Sequence, residues 1–239
     1  GDGGHKYLIT GGDDSKFGIY HGDIKKLHAL TKKYNLRVQG ILQHIGTHIA
    51  NPNSLLRGME LVFAIAKEFP DIAFLDFGGG FNSPYKPEEK PIDIKAIGAK
   101  MSTRFKDFCD GYGRALELRV EPGRYIVADS GALLATVVDI KKTPKHTFAG
   151  LDTGFSHLIR PALYGSYHHI FNLSNPNGTP EAVNVVGNIC ESADFFAKGR
   201  KIARARIGDL FLIADAGAYG YTMASDYNIR AKPKEVVID

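Results

Sequence analysis

The stretch that decides the fold is Phe74-Leu75-Asp76-Phe77-Gly78-Gly79-Gly80-Phe81. It contains the end of a short apolar run, 72–75, and then three consecutive glycines. An apolar run of this length that stops at glycine is typical of a buried strand that enters a tight loop. Glycines have no side chains to shield their backbone N–H groups, so such a loop can close on an anion, most often phosphate. The stretch therefore predicts a buried strand followed by a phosphate-binding loop or by an ordinary glycine-rich turn.

The composition around this stretch is that of a globular protein with a sizeable core, since 44% of the 239 residues are hydrophobic and 23% are charged. The net charge of +4 is small and the basic residues are scattered, which argues against nucleic acid and suits a small anionic molecule. We expect no membrane span and no signal peptide, because no apolar run is long enough and the first residues are polar. The two cysteines, Cys109 and Cys190, favour a reducing cytoplasm over a disulfide framework.

Strands and helices are predicted to alternate on both sides of the glycines. The spacing of apolar residues predicts helices over 23–34, 55–69 and 93–112, the second of them capped by Asn53 or Ser54. Strands are predicted over 36–45, 72–75 and 116–120, and they end near His44, Gly78 and Glu121. This alternation builds parallel βα units, and the spacing of the strand ends suits a (β/α)₈ barrel, in which the chemistry lies where strands end.

The pattern changes after about residue 130, where β-type runs follow one another at 132–141, 146–151, 181–188 and 209–214. One short helix is predicted among them, over 156–164. The sequence therefore predicts an α/β domain over 1–130 and a mostly β domain over 131–239. Because only about three of the eight βα units of a closed barrel are visible, we expect the C-terminal part of a longer protein. A small open α/β sheet, complete in itself, is the alternative.

Each predicted strand end in the first domain carries a group suited to a cofactor. Glu121 opens Glu121-Pro122-Gly123-Arg124, and a carboxylate at the end of a buried strand needs a partner, either a protonated ring nitrogen or Arg124 in a local ion pair. His44 can stack on a flat ring, transfer a proton, or be an ordinary core histidine. Thr47 can offer its hydroxyl to phosphate or cap the next turn.

The second domain carries groups suited to a substrate. Cys190-Glu191-Ser192 combines a thiol proton donor with a carboxylate, although a free cysteine is more often buried and inert. Arg160 and Tyr164 share one face of a helical turn, which suits a carboxylate or an exposed helix end. Glycines beside Tyr219 allow it to approach a ligand. Tyr167-His168-His169 predicts no metal site, because adjacent histidines in an extended stretch point to opposite sides.

Six of these motifs stand in the order found in the diaminopimelate decarboxylases, which are fold-type III decarboxylases dependent on pyridoxal phosphate (PLP), and the sequence resembles that family over nearly its whole length. The motifs are HIGT (44–47), DFGGGF (76–81), EPGR (121–124), LIRPALYGSYHH (158–169), CESAD (190–194) and AGAYGYTMASDYN (216–228). The loop TGGDDSKFGI (10–19) is also similar to the family's loop before the ring-stacking histidine. LIRPALY together with CES favours the diaminopimelate branch over the ornithine and arginine decarboxylases. Three positions depart from the family pattern, and they are Thr47 for serine, Ala193 for glycine and Asp226 for asparagine.

The resemblance implies an alanine-racemase-like (β/α)₈ barrel followed by a mostly β domain, with PLP as the cofactor. His44 is implied to stack on the PLP ring, and Glu121 to keep the pyridine nitrogen protonated. The remaining residues implied to line the cofactor, chiefly at its phosphate, are Thr47, Gly78, Gly79, Gly80, Pro122, Gly123, Arg124 and Tyr219.

The implied reaction is the decarboxylation of meso-2,6-diaminopimelate to L-lysine. Substrate carboxylates are implied to bind Arg124, Arg160 and Tyr164, with Tyr219 close by. Glu191 is implied to hold the far end of the substrate, and Cys190 to donate the proton. In the family the Cys190–Glu191 pair reaches into the partner subunit's site, so a homodimer is implied.

The family's Schiff-base lysine has no counterpart in this sequence, because no lysine stands at the end of an apolar strand. We therefore expect the 239-residue chain alone to be inactive and to form no covalent bond to PLP, which borohydride reduction checks by revealing any lysine adduct. Two alternatives stay open. One is a decarboxylase of another amino acid or polyamine precursor, and the other is a non-catalytic relative of the same fold.

Overall fold

A computed structural model describes residues 8–49 and 51–238, so most of the polar, glycine-rich start lies outside the described residues. The described chain divides into two compact units. The first unit takes the residues up to Ser83 together with Lys90–Tyr125, and the second takes Pro84–Glu89 together with the residues from Ile126 onward. The domains predicted over 1–130 and 131–239 stay a prediction. The structure adds that a six-residue loop belongs to the second unit, although it lies within the predicted first domain.

The first unit is built from parallel βα repeats, as the alternation of apolar patterns predicts. Its three strands pair in parallel in the order β1-β2-β3. These strands are β1 (Gly40–Leu42), β2 (Phe74–Asp76) and β3 (Glu117–Arg119). The helices are α1 (Ile24–Lys33), α2 (Pro52–Ala66) and α3 (Ile94–Tyr112), and the short α4 (Gly123–Val127) begins in this unit and ends in the residues of the second. Together with the β-rich second unit, this confirms the predicted fold class of an α/β part followed by a β part.

The ends of the two long helices follow from local sequence chemistry. The side chain of Asn51 caps α2 by accepting a hydrogen bond from the N–H of Asn53 at 3.0 Å, so the predicted caps are two or three residues too late. Pro52 fits the first helical position, where no N–H is needed. Asp93 caps α3 in the same way, and Gly113 ends it at φ +83°. These two helices therefore begin and end where the side chains satisfy the exposed backbone groups.

The core of the first unit lies between α2, α3 and the sheet. Phe63 of α2 stacks on Phe108 of α3 with ring centroids 4.3 Å apart, and it meets the edge of Phe77 at 5.9 Å. Leu75 at the centre of β2 is fully buried. Each such side chain contributes about 1.5–3 kcal/mol by its burial. This packing fixes the end of β2, from which the glycine loop begins.

The second unit contains a six-stranded sheet in the order β6-β9-β4-β5-β7-β8, in which only β5 and β7 are parallel. The strands are β4 (Leu133–Lys142), β5 (Thr147–Leu151), β6 (Ile170–Asn172), β7 (Pro180–Val186), β8 (Phe195–Ala203) and β9 (Leu210–Ile213). Its core is apolar, and Val137, Leu151, Phe211 and Ile213 at its centre have no exposed surface. Within the described residues, no helix of either unit is long and apolar enough to cross a membrane.

Three features of the second unit differ from the prediction. Strands β6 and β8 were not predicted. In β8, Gly199 at φ +57° stands between charged residues and interrupts the alternation of apolar and polar residues that indicates a strand. The predicted helix over 156–164 is helical only in α5 (Arg160–Tyr164). Further on, the chain forms two short 3₁₀ helices, Tyr221–Met223 and Tyr227–Ile229.

Candidate functional site

The ends of the three parallel strands bring His44, the glycine loop and Glu121 into contact within the first unit. The N–H of Gly79 donates a hydrogen bond to Nδ1 of His44 at 3.1 Å. The N–H of Glu121 donates to the carbonyl oxygen of Gly78 at 2.9 Å. The parallel register places all three strand ends at the same edge of the sheet. The structure thus assembles the three groups that stand far apart in the sequence.

The glycines are needed because backbone segments approach one another closely. A Cβ on Gly79 would lie 2.2 Å from the carbonyl oxygen of Glu121, and one on Gly80 would lie 2.4 Å from that of Gly46. Gly78 and Gly80 also have φ of +65° and +89°, which side chains disfavour. The N–H of Gly78 donates to Oδ1 of Asp76 at 2.9 Å. Two of the three glycine N–H groups therefore already have acceptors within the protein, and an anion can use the N–H of Gly79 only when His44 releases it.

His44 is held at both its ring and its backbone. Its Nδ1 accepts from Gly79, so in this arrangement the proton of the neutral ring is on Nε2. Its carbonyl oxygen accepts from the hydroxyl of Thr10 at 2.7 Å, which attaches the loop over 10–19 to the end of β1. This is the loop that is similar to the family's loop before the ring-stacking histidine. The ring of His44 is thereby fixed at the edge where the strands end.

The other predicted cofactor residues of the first unit follow His44 or Glu121 closely in the sequence. They differ in how far they are buried. Glu121 is exposed, contrary to the expectation of a buried strand end, because β3 is an outer strand of the described sheet. Arg124 on α4 is buried with 7% of its surface exposed, and a buried guanidinium requires compensating polar or charged groups. Thr47 and Pro122 are half-buried and Gly123 is exposed. Their roles toward a cofactor stay predictions.

A second group of predicted residues converges in the second unit around Arg160. The side chain of Arg160 is only 3% exposed, and its Nη2 donates to the hydroxyl of Ser166 at 3.2 Å. Its guanidinium carbon lies 5.6 Å from the ring centroid of Tyr164 and 5.9 Å from that of Tyr219. Aromatic faces at this distance attract a cation and restrict its motion. The structure therefore brings together Arg160, Tyr164 and Tyr219, which the sequence assigned to the substrate.

Tyr85 joins this group although the sequence analysis did not single it out. Its ring centroid lies 5.7 Å from the guanidinium carbon of Arg160, and its edge meets the ring of His168 at 5.3 Å. Its N–H donates to the carboxylate of Glu89 at 2.9 Å, which closes the loop that carries it. Tyr85 lies in a stretch of Pro, Lys and Glu that is typical of a solvent-exposed loop. The one available signal was a large aromatic residue among those polar ones.

Tyr219 is held in a conformation that is rare for a bulky residue. Its φ of +61° lies in the left-handed region, which costs on the order of 1 kcal/mol. The flanking glycines permit the turn, because a Cβ on Gly217 would lie 2.0 Å from the carbonyl oxygen of Val127 and one on Gly220 would lie 2.2 Å from that of Ala216. Non-glycine residues in such conformations cluster at functional sites. The turn thus directs the Tyr219 ring toward Arg160.

Cys190 and Glu191 lie on a loop that a buried carboxylate holds in place. Asp194, 3% exposed, accepts from the N–H of Phe155 at 2.7 Å and from the N–H of Ile189 at 2.8 Å. Burial raises the pKa of Asp194, while those two hydrogen bonds and nearby His157 act in the opposite direction. Cys190 is exposed, so the burial that the alternative of an inert cysteine supposed is not found. The loop therefore offers its thiol and carboxylate to solvent or to a ligand.

The adjacent histidines of the second unit have separate surroundings. Nδ1 of buried His168 donates to the carbonyl oxygen of Ala214 at 2.8 Å, and Nδ1 of His169 lies 3.0 Å from the hydroxyl of Tyr167. Burial lowers the pKa of His169, with a further lowering from Arg200 and an opposing effect from Asp215. Among the residues that the structure describes, no three His, Cys, Asp or Glu side chains are grouped as metal ligands are.

Comparison with known proteins defines the class to which these features belong. The family described as "Pyridoxal-dependent decarboxylase, C-terminal sheet domain" matches residues 20–217. The chain therefore belongs to the pyridoxal-dependent decarboxylases. Within that class, the chain is similar to several proteins named diaminopimelate decarboxylase.

The diaminopimelate decarboxylase of Methanothermobacter thermautotrophicus is 40% identical over 245 residues, and the alignment covers 100% of this chain and 57% of that protein. The enzyme of Neisseria meningitidis serogroup A is 38% identical, with coverages of 98% and 57%. The crystal structure of diaminopimelate decarboxylase from Helicobacter pylori complexed with L-lysine matches with a TM-score of 0.85 and 31% identity, over 95% of this chain and 56% of that one. The chain thus spans slightly more than half the length of the relatives it matches.

The residues at the strand ends fit pyridoxal phosphate by their chemistry. A fixed imidazole offers a flat face, and an exposed carboxylate at Glu121 can accept from a protonated pyridine nitrogen. Thr47 and Arg124 add a hydroxyl and a guanidinium, which are donors suited to phosphate. The close backbone contact at Gly79 leaves no room for a side chain between the ring of His44 and Glu121. Groups whose chemistry suits PLP are therefore present in the first unit.

Proposed function

We propose that this chain acts in a PLP-dependent decarboxylase that converts meso-2,6-diaminopimelate to L-lysine. The observation that carries the proposal is the buried guanidinium of Arg160 between the rings of Tyr85, Tyr164 and Tyr219. A guanidinium in a restricted, largely desolvated position binds a carboxylate through two parallel hydrogen bonds. The similarity to diaminopimelate decarboxylases, one of them in complex with L-lysine, supports the same assignment.

The first unit is proposed to hold the cofactor. PLP, when bound, supplies an electron sink for the carbanion that remains when CO₂ leaves. The ring of His44 packs on the face of the cofactor, and Glu121 keeps its pyridine nitrogen protonated. Thr47, Arg124 and the loop around Gly80 bind its phosphate. In this proposal the protein residues orient the cofactor and adjust its charge.

The second unit is proposed to bind the substrate and to supply the proton. Diaminopimelate has two amino-acid ends, so the enzyme must recognise the end that does not react. Arg160 and Tyr164 bind a substrate carboxylate, Tyr219 lies against it, and the carboxylate of Glu191 binds the far ammonium group. Cys190, which is exposed, donates its thiol proton to the carbon that has lost CO₂.

The proposed assembly is a homodimer with a complete (β/α)₈ barrel in each subunit. The Cys190–Glu191 pair is exposed on its own unit, which suits a loop that completes the site of a partner subunit. The domains are proposed to be 1–130 and 131–239. A reducing cytoplasm is the proposed location, because the chain has only two cysteines and both are free.

Substrate specificity tests this function. The full-length product of the gene, supplied with PLP, is assayed on meso-diaminopimelate, ornithine and arginine by the release of CO₂. We expect activity on diaminopimelate that falls at least about 100-fold in Glu191→Gln, since a charged contact to the far ammonium is lost. Glu181→Gln, at an exposed glutamate of β7 that pairs with Arg204 at 3.7 Å, is the matched control and keeps full activity. If the wild-type enzyme prefers ornithine or arginine, the proposed substrate is wrong.

A further inference from the structure

Glu191 does not extend alone from its loop, because its carboxylate is bound by Tyr227. The hydroxyl of Tyr227 donates to Oε1 of Glu191 at 2.8 Å. Tyr227 lies 36 residues further along the chain, in the second of the two 3₁₀ helices. A hydrogen bond to an ionised carboxylate is among the stronger ones in proteins. The two side chains are therefore coupled across two separate segments of the second unit.

Tyr227 is itself attached to the structure that holds the Glu191 loop. Its ring packs on that of Phe155 with centroids 5.8 Å apart and an angle of 30° between the planes. The N–H of Phe155 donates to Asp194, and Asp194 also accepts from the N–H of Ile189, two residues before Glu191. The contacts form a closed circuit from Glu191 through Tyr227, Phe155 and Asp194 back to the loop.

We propose that Tyr227 is a positioning residue that sets the orientation of the Glu191 carboxylate for the far ammonium group of the substrate. Asp194 supports it by holding the backbone on both sides of the circuit. The proposal rests on the proposed function, in which Glu191 recognises that ammonium group.

The physical reason is that an exposed glutamate samples many rotamers, and fixing one of them on substrate binding reduces affinity. Tyr227 fixes a rotamer in advance and occupies Oε1, which leaves Oε2 for the ammonium group. The hydrogen bond to Glu191 and the charge of that carboxylate raise the pKa of Tyr227, with a smaller contribution from Cys190. Tyr227 therefore remains a protonated donor at neutral pH.

Steady-state kinetics of the full-length protein test the positioning role. Tyr227→Phe removes only the hydroxyl and keeps the ring on Phe155, so we expect KM for diaminopimelate to rise about tenfold with kcat within about twofold. The double variant Tyr227→Phe, Glu191→Gln should be no worse than Glu191→Gln alone, because Tyr227 acts through Glu191. Tyr221→Phe, at a partly exposed tyrosine of the other 3₁₀ helix, is the matched control and should match the wild type. Unchanged KM in Tyr227→Phe, or additive losses in the double variant, would overturn the proposal.

Titration of the tyrosine provides a readout that needs no turnover. In protein labelled with ¹³C at the ζ position of tyrosine, the resonance absent from Tyr227→Phe identifies Tyr227. We expect it to titrate above the ordinary range, and to shift to lower pH in Glu191→Gln. A wild-type enzyme that fails to act on diaminopimelate would refute the proposed function, and this titration would still decide whether Tyr227 holds Glu191. If the pKa of Tyr227 lies in the ordinary range and does not change in Glu191→Gln, the positioning role is wrong.

Discussion

At the scale of single residues, the first unit depends on how closely backbones approach at Gly79. A methyl group there would lie 2.2 Å from the carbonyl oxygen of Glu121, and a hydrogen bond from the N–H of Glu121 to the carbonyl oxygen of Gly78 holds the two segments together. The close contact also explains why His44 can reach the N–H of Gly79. Glycine at this position is therefore required by packing, whatever the loop binds.

This requirement predicts the effect of Gly79→Ala on stability. Because the added methyl overlaps the backbone of Glu121, we expect the free energy of unfolding to fall by about 1–3 kcal/mol. The control is Gly98→Ala in α3, where nothing lies within 4 Å of the added methyl. That change should raise stability by about 0.5–1 kcal/mol, since alanine favours a helix. Urea unfolding of the full-length protein measures both, and equal stabilities for the two variants would contradict the packing account.

A second residue-scale prediction concerns Tyr85 and its contact with Arg160. Tyr85→Leu keeps an apolar side chain at this buried position but removes the aromatic face beside the guanidinium. We expect KM for the substrate to rise several-fold, in line with about 1 kcal/mol for a cation–π contact. Tyr85→Phe keeps the ring and should restore near-normal KM. If Leu and Phe have the same KM at this position, the ring has no role in orienting Arg160.

At the scale of elements, Asp194 holds the loop between β7 and β8 by accepting two backbone hydrogen bonds. An asparagine offers only one acceptor oxygen, so Asp194→Asn should release the N–H of Phe155 or of Ile189, at a cost of about 1–3 kcal/mol. We expect faster hydrogen exchange at whichever of the two amides loses its acceptor, as measured by mass spectrometry. Asp139→Asn, at an exposed position of β4, should leave that exchange unchanged. Unaltered exchange in Asp194→Asn would show that the loop does not depend on this carboxylate.

His169, next to β6, gives the second unit a predictable dependence on pH. Burial and Arg200 lower its pKa in the folded state, and the opposing Asp215 does not reverse this. The unfolded chain therefore binds a proton at His169 more readily, so stability falls as the pH drops through about 6.5 and recovers as the pH rises. His169→Asn, which keeps a polar group beside Tyr167, removes this contribution.

Thermal unfolding between pH 7.5 and 5.5 measures the effect. The wild-type protein should lose more of its melting temperature over this range than His169→Asn does. Parallel decreases in the two proteins would mean that His169 titrates normally in the folded state.

At the scale of the whole molecule, local patterns of the sequence predicted the elements better than their contacts. Apolar runs that stop at His44, Gly78 and Glu121 predicted parallel strands whose ends meet, because all parallel strands end at the same edge. The attachment of Tyr85 to the second unit could not be predicted, since no local pattern records which distant segment a loop joins.

The remaining differences have similar causes. Strand β8 was not predicted because glycine and charged residues interrupt its alternation of apolar and polar residues. The strand forms because its backbone N–H and C=O groups pair with those of β7. The role of Asp194 depends on which two N–H groups the fold brings to it, and the motif CESAD indicates only that an acidic residue is present. Among the candidate site residues, Arg160, Tyr164 and Tyr219 were assigned to the substrate by the family resemblance, and they are found together.

The products of the reaction show whether the chain serves in a diaminopimelate decarboxylase. The full-length gene product is incubated with PLP and meso-2,6-diaminopimelate, and CO₂ and L-lysine are measured together. We expect equal amounts of both from the wild-type protein, and loss of both in Glu191→Gln. Absence of L-lysine from diaminopimelate, with CO₂ released instead from ornithine or arginine, would contradict this expectation.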